Sequence, residues 1–231
     1  MLAFQLAHAR AQDAVHAGLD VNRLRAAIAL PTVVVDSAAP DRQAYLQNPD
    51  LGRRLAECAP TLPKTDCDLA LVIADGLSAT AVQAHAPALI RWLSLRLSDF
   101  RLAPVVIARQ ARVAIGDPIG QALGAPIVVV LIGERPGLSA ADGVSAYITF
   151  GPKPGRRDSE RNCVSNIRAS DGLTPERAVD TIVWLMREAQ RLGFTGVQLK
   201  DRRIAPLNEA GELALSFADN GNDHQTNDGI S

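Results

Sequence analysis

The chain has 231 residues, 47% of them hydrophobic and 21% charged, with a formal net charge of −1. That length and balance suit one sizeable globular domain with a smaller attached element. Near-neutral charge argues against a nucleic-acid or membrane-surface partner, and no apolar run nears the roughly 20 residues that span a bilayer.

The N-terminus lacks the apolar core and cleavage site of a signal peptide, so a cytoplasmic location is expected. Three cysteines, Cys58, Cys67 and Cys163, share no C-x-x-C spacing and are odd in number. This argues against a disulfide framework or a zinc site. Four histidines (His8, His16, His85 and His224) form no metal-ligand pair at helical spacing.

In chain order, residues 2–16 have helical composition but no capping residue ahead of them, so a stretch upstream is expected to be missing. A second helical piece covers 22–29 and ends before Pro31. The β-branched run 32–35 predicts a strand ending at Asp36. Residues 41–57 read as helical, divided by Pro49, with Asp50 able to restart the helix. Pro60 and Pro63 in 58–66 mark the expected domain boundary, giving a mainly helical segment 1–60 and a second domain over 61–203.

A regular alternation follows. Residues 69–74 predict a buried strand, and Asp75-Gly76-Leu77-Ser78 turns into a helix capped by Ser78. Val82, Leu89, Ile90, Leu93 and Leu97 give that helix an inner face, while Pro87 is expected to kink or restart it. A strand at 105–108 runs on toward Val113. Gly116-Asp117-Pro118 opens a short helix that Gly124 stops. The run Ile127-Val128-Val129-Val130-Leu131-Ile132 reads as a strand buried on both faces.

Residues 144–150 predict another strand. Residues 156–168 look polar and irregular, with no apolar face to bury. Thr174-Pro175-Glu176 is a strong helix start, Val179, Ile182, Val183 and Met186 share one face, and Gly193 closes the helix. Residues 196–199 suggest a last edge strand. From 204 to 231 the chain is polar and expected to be a disordered tail.

Short apolar strands alternating with helices argue for an α/β fold: a Rossmann-like, mostly parallel sheet with helices on both faces, preceded by a small helical segment. The strand carboxyl ends, where ligands bind in such sheets, would gather Asp75 to Ser78, residues 110–117 and Glu134-Arg135-Pro136-Gly137. Glu134 and Arg135 are there either to meet a ligand or as solvated loop charges. Asp75 and Ser78 either hold a ligand at a helix N-terminus or simply turn and cap the chain. Cys163, flanked by Arg161 and Arg168, is either a thiolate nucleophile or a small packing residue. The dinucleotide fingerprint, the Walker A loop and the G-x-S-x-G turn are absent. Gly116, Gly120 and Gly124 recur every fourth residue, which points to close helix packing.

Five segments in order carry a more specific signal. They are Phe4-Gln5-Leu6-Ala7-His8-Ala9-Arg10-Ala11, Tyr45-Leu46 with Pro49-Asp50-Leu51-Gly52-Arg53-Arg54-Leu55, and Val72-Ile73-Ala74-Asp75-Gly76-Leu77-Ser78. Ile132-Gly133-Glu134-Arg135-Pro136-Gly137-Leu138 and Cys163-Val164-Ser165-Asn166-Ile167-Arg168 complete the set. Together they resemble the small (light) subunit of ethanolamine ammonia-lyase, over residues 4–200.

The resemblance implies a lyase subunit with no catalytic residues of its own. A large partner subunit, a (β/α)8 barrel, performs the adenosylcobalamin-dependent conversion of ethanolamine to acetaldehyde and ammonia. The small subunit packs against the cobalamin in a hetero-oligomer. Carried over from the family, the cofactor contacts are Val113 (apolar contact), Glu134 (an acceptor for corrin amides) and Cys163 (small bulk). No histidine has the D-x-H-x-x-G surroundings of domains that replace the cofactor's own base on cobalt. The resemblance also implies residues ahead of Phe4 in family members, and allows a bacterial microcompartment as the location. Two other readings remain: a degenerate module that binds cobalamin or a partner without turnover, and an unrelated nucleotide-dependent enzyme.

Overall fold

The structure, a computed structural model, describes residues 13–137, 142–169 and 171–201, together with Gln5 and His8. One compact unit runs Met1–Leu199. Of the second, Lys200–Ser231, only Lys200 and Asp201 are described, so the expected tail over 204–231 lies outside the described residues. Most of the helix expected at 2–16 also lies outside them, although 13–16 is helical.

Six strands form one sheet: β1 (Thr32–Asp36), β2 (Leu69–Ala74), β3 (Val105–Arg109), β4 (Ile127–Gly133), β5 (Val144–Phe150) and β6 (Asn162–Ile167). Their order is β1-β3-β2-β4-β5-β6. The first four are mutually parallel, while β5 runs antiparallel to both β4 and β6. The fold is thus α/β with a mixed sheet. The segment 1–60 contributes β1 to it, through parallel pairing with β3.

Beside the helical residues 13–16, the helices of the described residues are α1 (Val21–Ala27), α2 (Arg42–Gln47), α3 (Ala79–Arg96), α4 (Gly116–Leu123) and α5 (Pro175–Leu192). Because side chains alternate along a strand, β2 and β4 feed two cores. Leu69, Leu71, Ile73, Val129 and Leu131 pack with α1, α3 and α5 on one face. Ala70, Val72, Ala74, Val128 and Val130 pack with α4 on the other. All six residues of β2 and all seven of β4 are buried, which is why both read as unbroken apolar runs.

The caps form as their residues dictate. Asp20, Asp41, Ser78 and Thr174 each accept a backbone N–H from the first turn of their helix. Gly124 and Gly193 close α4 and α5 in the left-handed conformation. Helix periodicity of Gly116 and Gly120 is close packing: a Cβ on either would stand 2.5 Å from Val130 or Pro152.

Four expectations are corrected. Pro87 does not restart the helix: it lies inside one continuous α3, whose Leu89, Ile90 and Leu93 are buried against the sheet and outweigh the lost hydrogen bond. β3 does not run on toward Val113: it ends at Arg109, Gln110 turns with φ +52°, and a 3-10 turn covers Val113–Ile115. Residues 156–168 contain the edge strand β6, which buries only Val164 and Ile167 of its six residues and therefore shows no apolar run. Residues 196–199 are a turn, with Gly196 at φ +105° and Leu199 N donating to Gly196 O.

Candidate functional site

The chain leaves β2 for α3 on one face of the sheet and leaves β3 for α4 on the other. Connections that diverge in this way open a crevice at the strand carboxyl ends. There lies a hollow of about 480 Å³, walled by Gly76 and Leu77 after β2, Arg112, Val113 and Ala114 after β3, and residues 132–135 at the end of β4. Tyr45, Pro49, Arg53, Ser145, Tyr147 and Asp158 complete its sides.

Backbone fit shapes the floor. Gly76 has φ +57°, and a Cβ there would stand 2.3 Å from Gly133 O, so the turn after β2 can lie directly on the end of β4. Leu77 N donates to Gly133 O at 3.0 Å.

Asp75 braces the neighbouring turn. Its carboxylate accepts Gln110 N at 2.8 Å and Ala111 N at 2.9 Å, with Arg42 Nη1 at 3.8 Å. Burial pushes its carboxyl up, against the pull of those amides and of the Arg42 guanidinium. Ser78 caps α3 by accepting Ala81 N. Of the two readings of Asp75 and Ser78, the observed contacts are the structural ones.

Val113 opens the 3-10 turn and packs its half-buried side chain on the α4-side core. Glu134 sits across the hollow, and its Oε1 accepts Ser145 Oγ at 2.6 Å and Asn166 N at 2.7 Å. Those bonds tie the β4 end to β5 and β6, and fix where the second oxygen stands. A Cβ on Gly143 would fall 2.5 Å from that oxygen.

Cys163 pairs with Tyr147 across β5 and β6. It does not line the hollow itself; its thiol is near the Tyr147 and Ser145 hydroxyls, which do. Burial of the thiol pushes its pKa up and the nearby Glu134 adds to this, although the two hydroxyls oppose them. Such a thiol is a poor nucleophile at neutral pH. Burial likewise pushes Tyr147 up to about 12.

Val113 and Glu134 therefore share one hollow, whereas Cys163 is exposed on the edge strand β6 and is not part of its lining. Sequence reasoning assigned no role to Tyr45, Arg112, Ser145 or Tyr147. The last two alternate on β5, a visible signal once the strand's inner edge is known. Arg112 and Tyr45 are 67 residues apart and meet only in the fold, where Arg112 Nη2 reaches Tyr45 O.

Comparison with known proteins identifies the family of the chain. The ethanolamine ammonia-lyase light chain (EutC) family matches residues 1–200. An ethanolamine ammonia-lyase small subunit of Bradyrhizobium diazoefficiens is 53% identical over 211 residues, covering 87% of this chain and 80% of the relative. One from Azotobacter vinelandii is 48% identical over 229 residues, covering 94% and 84%. One from Ralstonia nicotianae is 46% identical over 222 residues, covering 91% and 82%. With its five ordered motifs and a family match over most of its length, this chain belongs to the ethanolamine ammonia-lyase small-subunit family.

Proposed function

We propose that this chain holds adenosylcobalamin against a catalytic large subunit, in an enzyme that converts ethanolamine to acetaldehyde and ammonia. The observation that carries the reading is the convergence of Val113 and Glu134 on one hollow at the strand carboxyl ends. A hollow of about 480 Å³ accepts one edge of a corrin and leaves the rest for a partner. Its chemistry fits such a ligand: Leu77, Val113, Ala114 and Ile132 offer apolar surface, and Glu134 offers an acceptor for amide N–H groups.

When bound, adenosylcobalamin supplies the radical chemistry through homolysis of its cobalt–carbon bond. Glu134 would orient the corrin's rim by accepting from its amides, while Val113 excludes water from the contact. Cys163 keeps the wall small at Tyr147. Ile132 and Gly133 of β4 and Ser145 and Tyr147 of β5 give the cradle a rigid floor for a cofactor that must be oriented. No helix among the described residues is long and apolar enough to cross a membrane. The cytoplasm, or a microcompartment within it, is the proposed location.

The test is ammonia release from ethanolamine after co-expression with a cognate large subunit and addition of adenosylcobalamin. Activity that needs both chains is the expected result. Chains that co-purify without turnover would favour the degenerate binding module. Within the active complex, Glu134→Gln keeps an oxygen for Ser145 and Asn166 but loses charge. It should weaken cobalamin binding about tenfold, and an unchanged affinity would remove Glu134 from the contact.

A further inference from the structure

Five arginines among the described residues are buried or half-buried: Arg42, Arg112, Arg156, Arg161 and Arg168. Three of them have a carboxylate partner, in Asp75, Glu160 and Asp117 respectively for Arg42, Arg156 and Arg161. Arg168 donates to the Asp171 carbonyl and does not line the hollow.

Arg112 differs from all of these. It lines the hollow, yet no carboxylate among the described residues lies within 4.0 Å of its guanidinium. Its Nη2 makes one long contact, 3.5 Å to Tyr45 O, and its Nε is buried with no acceptor. A half-buried cation without a counter-charge is costly unless a ligand supplies one.

The group is nevertheless held in place. Arg112 Cζ lies 4.3 Å from the centroid of the buried Tyr45 ring, a cation–π distance. Arg112 N donates to Gly52 O at 2.7 Å, and Tyr45 Oη donates to Ala111 O at 3.3 Å. A Cβ on Gly52 would stand 2.8 Å from Arg112 Cγ and 2.9 Å from Tyr45 Cε2, so only glycine admits this packing.

Neither carboxylate of the hollow pairs with Arg112, and one oxygen of Glu134 is already bonded. Glu134 receives Ser145 and Asn166, and Asp158 stands 3.5 Å from Arg161 Nε. Arg53 and Arg135, both exposed, line the same hollow and add positive potential, although Arg53 also meets Asp50 at 3.4 Å.

We propose that Arg112 is a further cofactor-contacting residue, stacked on Tyr45 so that its guanidinium takes the phosphodiester of cobalamin's nucleotide tail. The inference rests on the cobalamin reading above. The phosphodiester is the anionic group on that cofactor's periphery, and a guanidinium fork matches its oxygens. Tyr45 is the positioning residue. Together they set the direction of the bound cofactor, with amides toward Glu134 and the tail toward Arg112.

The test uses the assembled two-subunit complex and two probes, cyanocobalamin and dicyanocobinamide, which lacks the phosphate and nucleotide. Arg112→Met should weaken cyanocobalamin about tenfold and leave dicyanocobinamide unchanged. Arg112→Lys should recover part of the loss, since it keeps charge but not the fork. Tyr45→Leu should reproduce the cyanocobalamin-selective loss, and Tyr45→Phe, which keeps the ring, should not.

Equal loss for both probes, or no loss for either, overturns the proposal. Should dicyanocobinamide bind too weakly to measure, the cyanocobalamin titration is repeated at about 0.05 M and about 0.5 M salt. The gap between wild type and Arg112→Met then narrows at high salt if the contact is an ion pair, and a constant gap overturns it. Wild-type complex that binds no cyanocobalamin would instead refute the cobalamin reading itself, which separates the two failures.

Discussion

Cys163 carries the clearest lesson at the scale of one residue. Arginines on either side in sequence suggested a thiolate, yet the residue stands exposed beside Tyr147 on the edge strand, and partial desolvation of its thiol raises its pKa. Cys163→Ser in the assembled complex should therefore keep ammonia release within about twofold of wild type, in a steady-state assay. A loss of several orders of magnitude would restore a nucleophilic role. Asp75 makes the opposite case. At a strand end it looks like a ligand-binding carboxylate, but both its oxygens are taken by backbone amides 35 and 36 residues away. Neither partner is visible from the residues around it.

At the scale of elements, the joint between α4 and the approach to β6 is a buried ion pair. Arg161 grips both oxygens of Asp117 at 2.7 Å, and the two side chains are 1% and 2% exposed. Arg161 also donates to Thr149 Oγ1 and the Arg156 carbonyl. Asp117 lies in the first turn of α4, where the helix dipole adds support for its negative charge. Asp117→Asn would leave the guanidinium buried and uncompensated, at a cost of about 3–5 kcal/mol, read from the midpoint of urea unfolding. The double variant Asp117→Leu with Arg161→Met should recover most of that loss, because it removes both charges together. Sequence reading placed Asp117 correctly at a helix start. It found no strand around Arg161, since an edge strand that buries two residues has no period to detect.

For the whole molecule, alkaline pH reports on the packing behind the hollow. Burial holds Tyr45 at about 12 and Tyr147 at about 12, against an ordinary 10.0. The unfolded chain gives up these protons first. The stability they contribute is therefore fully present below pH 10 and is lost as pH rises from 10 through about 12. Tyr45→Phe should flatten part of that loss in melting temperatures taken across the same window, and an unchanged slope would mean that Tyr45 titrates as an exposed tyrosine.

The order of residues by itself determined what depends on near neighbours. It determined the buried strands β2 and β4, the caps at Ser78 and Thr174, the stops at Gly124 and Gly193, and the α/β class. It also put Glu134 at the carboxyl end of β4. These follow from periodicity, capping and turn chemistry, which act over a few residues. Tertiary structure alone decided the antiparallel course of β5, the unbroken α3 through Pro87, and the edge strand carrying Cys163. It also brought Tyr45 to Arg112, leaving one half-buried guanidinium in the hollow without a counter-charge among the described residues. The physical reason is distance along the chain: these outcomes are set by burial and charge among segments tens of residues apart, and no local pattern encodes which of them will meet.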